Sequence, residues 1–308
     1  MEHRKGWLKD PQGIGVACAV VATSLGLAYM AVAGAPMIYL AVNAGALVLG
    51  LAVFALMQSA GQIPSLSGGA ILFPGGLLLA TALFGVSVDG ATRWVRVGPL
   101  SLQVSLIFLP AMVVAFAQRR DLLATLGVAL AAVALALQPD RAMAGVLASA
   151  LGVLALQRRD RWVVSALLIA VVSFAMTLLR PDRLPAVPYV DRILYSAFQV
   201  HTLAGIAVVG GAFLLVVPAI ADQILGGGNR DVYSVFGVVW LSIVVAAALG
   251  NYPTPLVGYG GSAVLGYVLC LLFMPGKARA MAASAVRSES QFQGENDGTP
   301  DLCIRAAV

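Results

Sequence analysis

Long apolar runs separated by short polar breaks dominate this chain. They predict ten helices, at roughly 13–34, 37–57, 70–88, 100–117, 122–137, 142–157, 162–179, 194–220, 232–250 and 256–275. Most of these runs approach the ~20 residues that an α-helix needs to cross about 30 Å of hydrocarbon. We therefore expect an all-α, polytopic integral membrane protein.

The fifth and sixth runs are the shortest, and a polar break at residues 138–141 separates them. A proline interrupts a helix, and two adjacent charges are unfavourable in lipid. This break favours two short helices over one broken hairpin.

Composition agrees with a membrane location. Hydrophobic residues make up 60% of the chain and charged residues only 11%, with a mean hydropathy of +0.92. Soluble domains average about 25% charged residues. The net charge of +5 follows from the cytoplasmic loops predicted below, so it does not indicate a nucleic-acid partner; the lipid bilayer is the partner that the composition implies.

Ten spans place both termini on one side of the membrane, and Lys and Arg accumulate in cytoplasmic loops. Thirteen of the 19 basic residues fall on the side of the termini, which predicts that both termini are cytoplasmic. The six basic residues on the outer side are Arg93, Arg96, Arg141, Arg180, Arg183 and Arg192.

The ends of the chain differ from its centre. Residues 1–12 predict a short cytoplasmic segment before an uncleaved first span, and residues 13–275 a single transmembrane domain. Residues 276–308 are rich in Ser, Gln, Glu, Asn and Gly, which predicts a disordered cytoplasmic tail. Three scattered cysteines without a C-x-x-C spacing indicate neither a disulfide framework nor a metal site.

The outer arginines oppose the positive-inside bias and need an explanation. An anionic substrate is one, because the guanidinium group matches phosphate geometry; pairing with neighbouring aspartates or lipid phosphates is the other. His201, inside the eighth predicted span, is interpreted as a packed helix residue. No second histidine or acid stands at helical spacing from it to form a proton relay.

Four motifs in the outer loops carry a family resemblance. Gly90-Ala91-Thr92-Arg93-Trp94-Val95, followed by Gly98-Pro99 and Gln103-Val104-Ser105, resembles the G-A-x-R-W-I…G…Q-P-S-E signature of the SEDS family. This family is the RodA and FtsW group of peptidoglycan glycosyltransferases. Gln138-Pro139-Asp140 is similar to its Q-P-D motif.

The other two motifs lie further along the chain. Residues 253–262 resemble the family's L-P-L-P-F-x-S-Y-G-G-S segment. Val190-Asp191-Arg192-Ile193, with Gly205 downstream, is similar to H-T-D-F-I…E-E-L-G-x-x-G. All four motifs fall in family order, and the resemblance covers about residues 10–275.

The resemblance implies an enzyme of the bacterial inner membrane that polymerises glycan strands from lipid II in cell-wall synthesis, cell shape or division. It implies Asp191 as the catalytic base and a class B penicillin-binding protein as partner. It implies Arg93 as a diphosphate ligand, assisted by Arg96, Arg183 or Arg192. It implies further substrate contacts from Trp94, Arg96, Gln103, Ser105, Asp140, Tyr259, Gly260, Gly261 and Ser262. Paired glycines in residues 259–262 also predict that this turn needs small side chains.

Two details of the chemistry stay open at this point. Arg192, immediately after Asp191, is expected to lower the pKa of that carboxyl and weaken it as a base. No residue pattern indicates a cofactor, although such a site leaves room for a divalent cation.

The chain also departs from the family. Leu106 and Leu109 replace the acid and the base of Q-P-S-E-x-x-K, Gln199-Val200 replaces E-E, and the loop at 180–193 is much shortened. Three functions therefore stay open: a glycosyltransferase, an inactive SEDS-fold scaffold, and a transporter or flippase for a lipid-linked substrate. The first predicts that Asp191, Arg93 and residues 259–262 converge on one cavity. The second predicts an ion pair between Asp191 and Arg192 or Arg183.

Overall fold

A computed structural model describes residues 10–59, 67–181, 184–225 and 229–275. Within them lie twelve helices and three strands. The helices are α1 (Pro11–Val32), α2 (Met37–Ser59), α3 (Gly68–Phe84), α4 (Val104–Gln118), α5 (Leu122–Leu137), α6 (Arg141–Gln157), α7 (Arg161–Leu178), α8 (Ile193–Val200), α9 (Thr202–Leu214), α10 (Val217–Leu225), α11 (Arg230–Leu249) and α12 (Gly261–Leu272). The strands are β1 (Val86–Val88), β2 (Ala91–Val97) and β3 (Leu100–Gln103). The predicted tail at 276–308 and most of the segment at 1–12 lie outside the described residues.

The predicted polytopic membrane fold is confirmed. Four helices, α1, α2, α7 and α11, are long and apolar enough to cross a membrane, and α9 with α10 makes a fifth if this pair, bent by 50°, is one span. The five remaining predicted runs contain α3, α4, α5, α6 and α12, which are apolar but shorter. The count of ten spans therefore stays a prediction.

Two predicted spans were too long, because a small sheet lies between them. Residues 86–103 form an antiparallel meander in which Trp94 pairs with Gln103 on one side and with Val86 on the other. Asp89 and Gly90 have φ angles of 48° and 83°, as tight hairpin turns require. The Asp-Gly pair between alternating β-branched residues was the signal for this hairpin.

The eighth predicted span is broken. Its first residues form the separate helix α8, and His201 lies between α8 and α9 in an extended conformation. His201 is exposed, and its Nδ1 accepts a hydrogen bond from the backbone N–H of Leu203 at 3.1 Å. The interpretation of His201 as a packed helix residue is therefore wrong; it caps α9.

Close packing of helices depends on small residues in the centre of the bundle. A Cβ atom on Gly75 of α3 would clash with the backbone of Gly127 on α5, and one on Gly266 of α12 would clash with the backbone of Leu106 on α4. Nearly all of α4 is buried. This helix forms the centre of the fold, where lipid-embedded backbones approach each other through glycine.

The connecting segments gather at two ends of the bundle. We call one the site end; it carries the segments 85–103, 138–140, 179–181, 184–192 and 250–260. The opposite end carries 119–121, 158–160 and the start of α11, joined by ion pairs from Arg120 to Asp160 and from Arg158 to Asp231. All four family-like motifs lie at or beside the site end.

Candidate functional site

Asp140 is the centre of a buried polar cluster at the site end. Its Oδ1 accepts a hydrogen bond from the backbone N–H of Met143 at 3.2 Å and so caps α6. Its Oδ2 accepts from Gln103 Nε2 at 3.2 Å and from Ser105 Oγ at 3.1 Å. Ser262 Oγ in turn accepts from the backbone N–H of Gln103 at 3.0 Å. We call these four side chains, Gln103, Ser105, Asp140 and Ser262, the Asp140 cluster; it joins α4, α6 and α12.

The three candidate residues of β2 differ in exposure. Arg93 is only 3% exposed, and its Nη2 donates a hydrogen bond to the carbonyl oxygen of Pro139. Its guanidinium carbon lies 6.0 Å from the centre of the Tyr252 ring, within cation–π range. Trp94 is half-buried and Arg96 is exposed. Arg93 thus fastens the sheet to the loop that precedes Asp140.

Asp191 is a buried residue at the end of the largely exposed segment before α8. It is 9% exposed, and its Oδ2 accepts a hydrogen bond from the backbone N–H of Val187 at 2.8 Å. Its backbone pairs with Pro253 as an isolated β-bridge. Burial raises the pKa of Asp191 above its usual value, and this effect exceeds the opposite effects of the Val187 N–H and of the Arg192 charge.

Arg192 lowers the pKa of Asp191 as expected, but burial outweighs this effect, so the expected low pKa is wrong. Arg192 Nε donates to Asn251 Oδ1 at 2.7 Å. No ion pair among the described residues includes Asp191, and Arg183 lies outside them. The neighbouring charges of Asp191 and Arg192 are thus bound to different partners.

The segment 251–262 connects the Asp140 cluster and Arg93 with Asp191. Tyr252 lies beneath Arg93, Pro253 bridges Asp191, and the backbone N–H of Tyr259 donates to the carbonyl oxygen of Tyr189 at 2.7 Å. The Tyr259 ring stacks on Tyr39 at 3.8 Å. This segment therefore holds the predicted motif residues in one framework.

Asn43 is a buried residue of this framework that the sequence analysis missed. Its Nδ2 donates to the carbonyl oxygen of Gly258 at 2.7 Å, and its Oδ1 accepts from the backbone N–H of Gly260 at 3.0 Å. An asparagine inside the apolar helix α2 was the available signal, since polar residues at membrane depth usually have a task.

The glycines of the turn differ in the space around them. A Cβ on Gly261 would lie 3.1 Å from Ala46 Cβ, and one on Gly258 would lie 2.9 Å from the carbonyl oxygen of Thr254. Nothing lies within 4 Å of a Cβ on Gly260. The predicted need for small residues therefore applies to Gly258 and Gly261 rather than to Gly260.

A cavity of about 630 Å³ opens beside this framework, between α6, α7 and α11. Arg141, Arg192, Asn251 and Tyr252 line it toward the site end, and mainly apolar side chains, with Ser149 and Ser242, line the rest. Asp191 and Arg93 are not among its lining residues. Asp191, Arg93 and residues 259–262 do not converge on this cavity as predicted. The segment 251–262 connects them, and only their neighbours Arg141, Arg192, Asn251 and Tyr252 line the cavity.

No group of three or more His, Cys, Asp or Glu residues that could hold a metal ion occurs in the described part of the chain. The arrangement offers instead a buried carboxylate with a raised pKa next to a cavity edged by arginines. A carboxylate of this kind can accept a proton, and guanidinium groups can bind phosphate.

The fold and the buried polar groups at one end of its bundle define a multi-pass membrane protein with a candidate ligand site. No protein-family model matches the chain, and no curated protein matches it by sequence. Solved structures do match by fold. The crystal structure of the rod shape determining protein RodA from Thermus thermophilus aligns with a TM-score of 0.58 and 23% identity, over 84% of this chain and 94% of that one.

An aspartate-to-alanine mutant of the same RodA aligns with a TM-score of 0.56 and 22% identity, over 84% and 95% of the two chains. A chain from a peptidoglycan synthase complex reaches 0.49 at 20% identity, over 84% and 96%, too low a score to define a shared fold. The chain has a RodA-like fold. The SEDS-like architecture predicted from its motifs is confirmed at the level of the fold.

Proposed function

We propose that this chain is a RodA-like glycosyltransferase of the bacterial inner membrane, which extends glycan strands from lipid II in cell-wall synthesis. The state of Asp191 carries the proposal. This aspartate matches the family's catalytic position, its pKa is raised by burial, and it is not ion-paired among the described residues.

The geometry suits general-base catalysis. Asp191 Oδ2 is held by the Val187 N–H, while Oδ1 has no hydrogen-bond partner among the described residues. Oδ1 takes the proton of an attacking sugar hydroxyl as its oxygen bonds the anomeric carbon. The bond from that carbon to the diphosphate breaks, and the diphosphate leaves with both bonding electrons. A raised pKa makes the carboxylate a stronger base at neutral pH.

The remaining candidate residues support this site rather than contact the sugar. The Asp140 cluster and Arg93 are buried and bind other parts of the protein. We propose that they hold the segment 251–262, and through it Asp191, in place. Trp94 and the exposed Arg96 are the residues of the sheet that remain for substrate contact. A class B penicillin-binding protein is the proposed partner, as the motif resemblance implies.

An inactive scaffold is the second candidate. It is favoured by the absence of Asp191 from the cavity lining and by the apolar residue Leu106 at the position of a family acid. Such a protein would bind partners of the envelope machinery without turning over lipid II. Loss of the Asp191 carboxylate would then leave its cellular role unchanged.

The test is polymerisation of labelled lipid II by the purified full chain in proteoliposomes, with and without a class B penicillin-binding protein and with and without EDTA. We expect glycan strands from the wild type and a fall of about 10² to 10⁴ in rate for Asp191→Asn. Asp160→Asn, which changes an aspartate at the opposite end, is the matched control and should keep its activity. A wild type that is folded yet inactive under every condition supports the scaffold.

A further inference from the structure

We propose that Arg141 and Arg192 form a binding site for the diphosphate of a polyprenyl lipid at the mouth of the 630 Å³ cavity. The inference rests on the proposed function, because it assigns a site to the lipid carrier of the proposed substrate. It also moves the diphosphate site away from Arg93, which the motif resemblance implied and which the structure buries against Pro139.

Both arginines are held by neutral acceptors. Arg141 Nη2 donates to the carbonyl oxygen of Arg180 at 3.0 Å, and Arg192 Nε donates to Asn251 Oδ1 at 2.7 Å. Asn251 is fixed in turn, because its Nδ2 donates to the carbonyl oxygen of Leu184 at 3.0 Å. Each guanidinium has five N–H donors, so most donors of both groups remain for a ligand.

The two arginines lack an ion-paired carboxylate among the described residues. Neither Arg141 nor Arg192 forms an ion pair with any described residue, and Arg141 Nε is buried without a hydrogen-bond partner. Arg141 is partly buried and Arg192 is exposed, and guanidinium groups without a carboxylate partner can bind a phosphate group in bidentate fashion. Two guanidinium groups at one cavity mouth therefore match an anion of about two charges.

The chain sequence explains why the two arginines are free for this task. Each directly follows a motif aspartate, but the aspartates are bound elsewhere: Asp140 caps α6, and Asp191 accepts the Val187 N–H. Where this chain has Arg192, the resembled H-T-D-F-I motif has phenylalanine. The pair is therefore a feature of this chain's own sequence.

Charge and shape point to a polyprenyl diphosphate. A diphosphate diester carries two negative charges, which two guanidinium groups can bind in bidentate fashion, whereas the phosphodiester of a common phospholipid carries one. The cavity below is lined by Phe174 and by Leu241, Val245 and Leu249, and these three residues of α11 are also exposed on the surface of the bundle. An isoprenoid chain would lie along them.

Binding of radiolabelled undecaprenyl diphosphate to the purified full chain in detergent tests the site without requiring turnover. We expect saturable binding that excess phosphatidylglycerol does not displace. Arg141→Gln and Arg192→Gln should each weaken binding about tenfold or more, and the double variant by about a hundredfold or more. The affinity of Arg192→Lys should lie between those of the wild type and Arg192→Gln, because lysine keeps the charge but lacks the planar guanidinium group.

Two controls separate binding from folding. Arg158→Gln, at the opposite end, should bind as the wild type does. Ala148→Phe should fill part of the apolar cavity while keeping both arginines, and should therefore weaken binding of the polyprenyl diphosphate but not of inorganic diphosphate. Thermal melting of each variant checks that it folds.

Unchanged binding in the double variant, or equal displacement by phosphatidylglycerol, would overturn the inference. Wild type that binds undecaprenyl diphosphate and yet never polymerises lipid II would refute the proposed function and leave this site standing.

Discussion

The two ends of the helix bundle use arginine in opposite ways. At the opposite end, arginines pair with carboxylates at 2.8 to 3.1 Å; the pairs are Arg119–Asp121, Arg120–Asp160 and Arg158–Asp231. At the site end, Arg141 and Arg192 donate to neutral oxygens. Three arginines at the opposite end are thus paired with carboxylates, whereas Arg141 and Arg192 at the site end form no ion pair with any described residue.

The aspartates show the same contrast. The N–H of Ala124 and the side chain of Arg119 lower the pKa of Asp121 at the opposite end. Burial raises the pKa of Asp191 at the site end. An ionised Asp121 stabilises the fold, whereas an ionised Asp191 opposes it, as is common for residues kept for function.

The largest difference between the ends is expected for two aspartates that cap helices. Asp140→Ala removes the cap of α6 and the buried acceptor that Gln103 and Ser105 share, and Gln103 Nε2 keeps only Ser105 Oγ as acceptor. The change should therefore cost about 3 kcal/mol or more. Asp160→Ala removes the cap of α7 and a surface ion pair, and should cost about 1 to 2 kcal/mol. Thermal melting in detergent measures both. Equal losses would mean that the Asp140 cluster is no more important than a surface cap.

A smaller contrast is expected within the site end itself. Gly258→Ala places a methyl group against the Thr254 carbonyl oxygen and Ile193, which should cost about 1 to 3 kcal/mol. Gly260→Ala meets open space and should change stability by less than about 0.5 kcal/mol. The melting temperatures of the two variants at one pH give the comparison. A Gly260 variant that is the less stable of the two would contradict the described turn.

The smallest expected effect is the change of folding stability with pH that Asp191 causes. The raised pKa of Asp191 means that its ionisation disfavours folding as pH rises above the unfolded value of ~3.9. Asp191→Asn should therefore be slightly stabilising at neutral pH, by less than about 1 kcal/mol, and neutral at acid pH.

Asp121→Asn provides the opposite control. Its lowered pKa contributes stability above ~3.9, which is lost as pH falls through the folded value. This variant should therefore be destabilising at neutral pH, and the difference should shrink in acid. Melting curves of both variants from about pH 3 to 7, a window that spans the unfolded value, check the signs, and identical signs would remove the contrast between the two ends.

Much of the fold follows from local sequence, whereas the binding partners of the charged residues do not. Hydrophobic runs predicted the helices, and the ordered motifs predicted the SEDS-like fold. The meander was missed although Asp89-Gly90 marks its turn, because the flanking apolar residues continue the runs of α3 and α4. That Arg192 binds Asn251 rather than Asp191 depends on a contact between residues 59 positions apart, which no local pattern reveals.

The separation of Asp191 from Arg192 is the central claim, and the pH profile of lipid II polymerisation tests it most directly. General-base catalysis requires the ionised carboxylate, so the wild type should lose activity in acid at an apparent pKa above ~3.9. Asn251→Ala frees Arg192 to approach Asp191, which should move this loss of activity to lower pH. Two results would contradict the account. One is a wild type that shows no loss of activity in acid at an apparent pKa above ~3.9; the other is an apparent pKa that Asn251→Ala does not change.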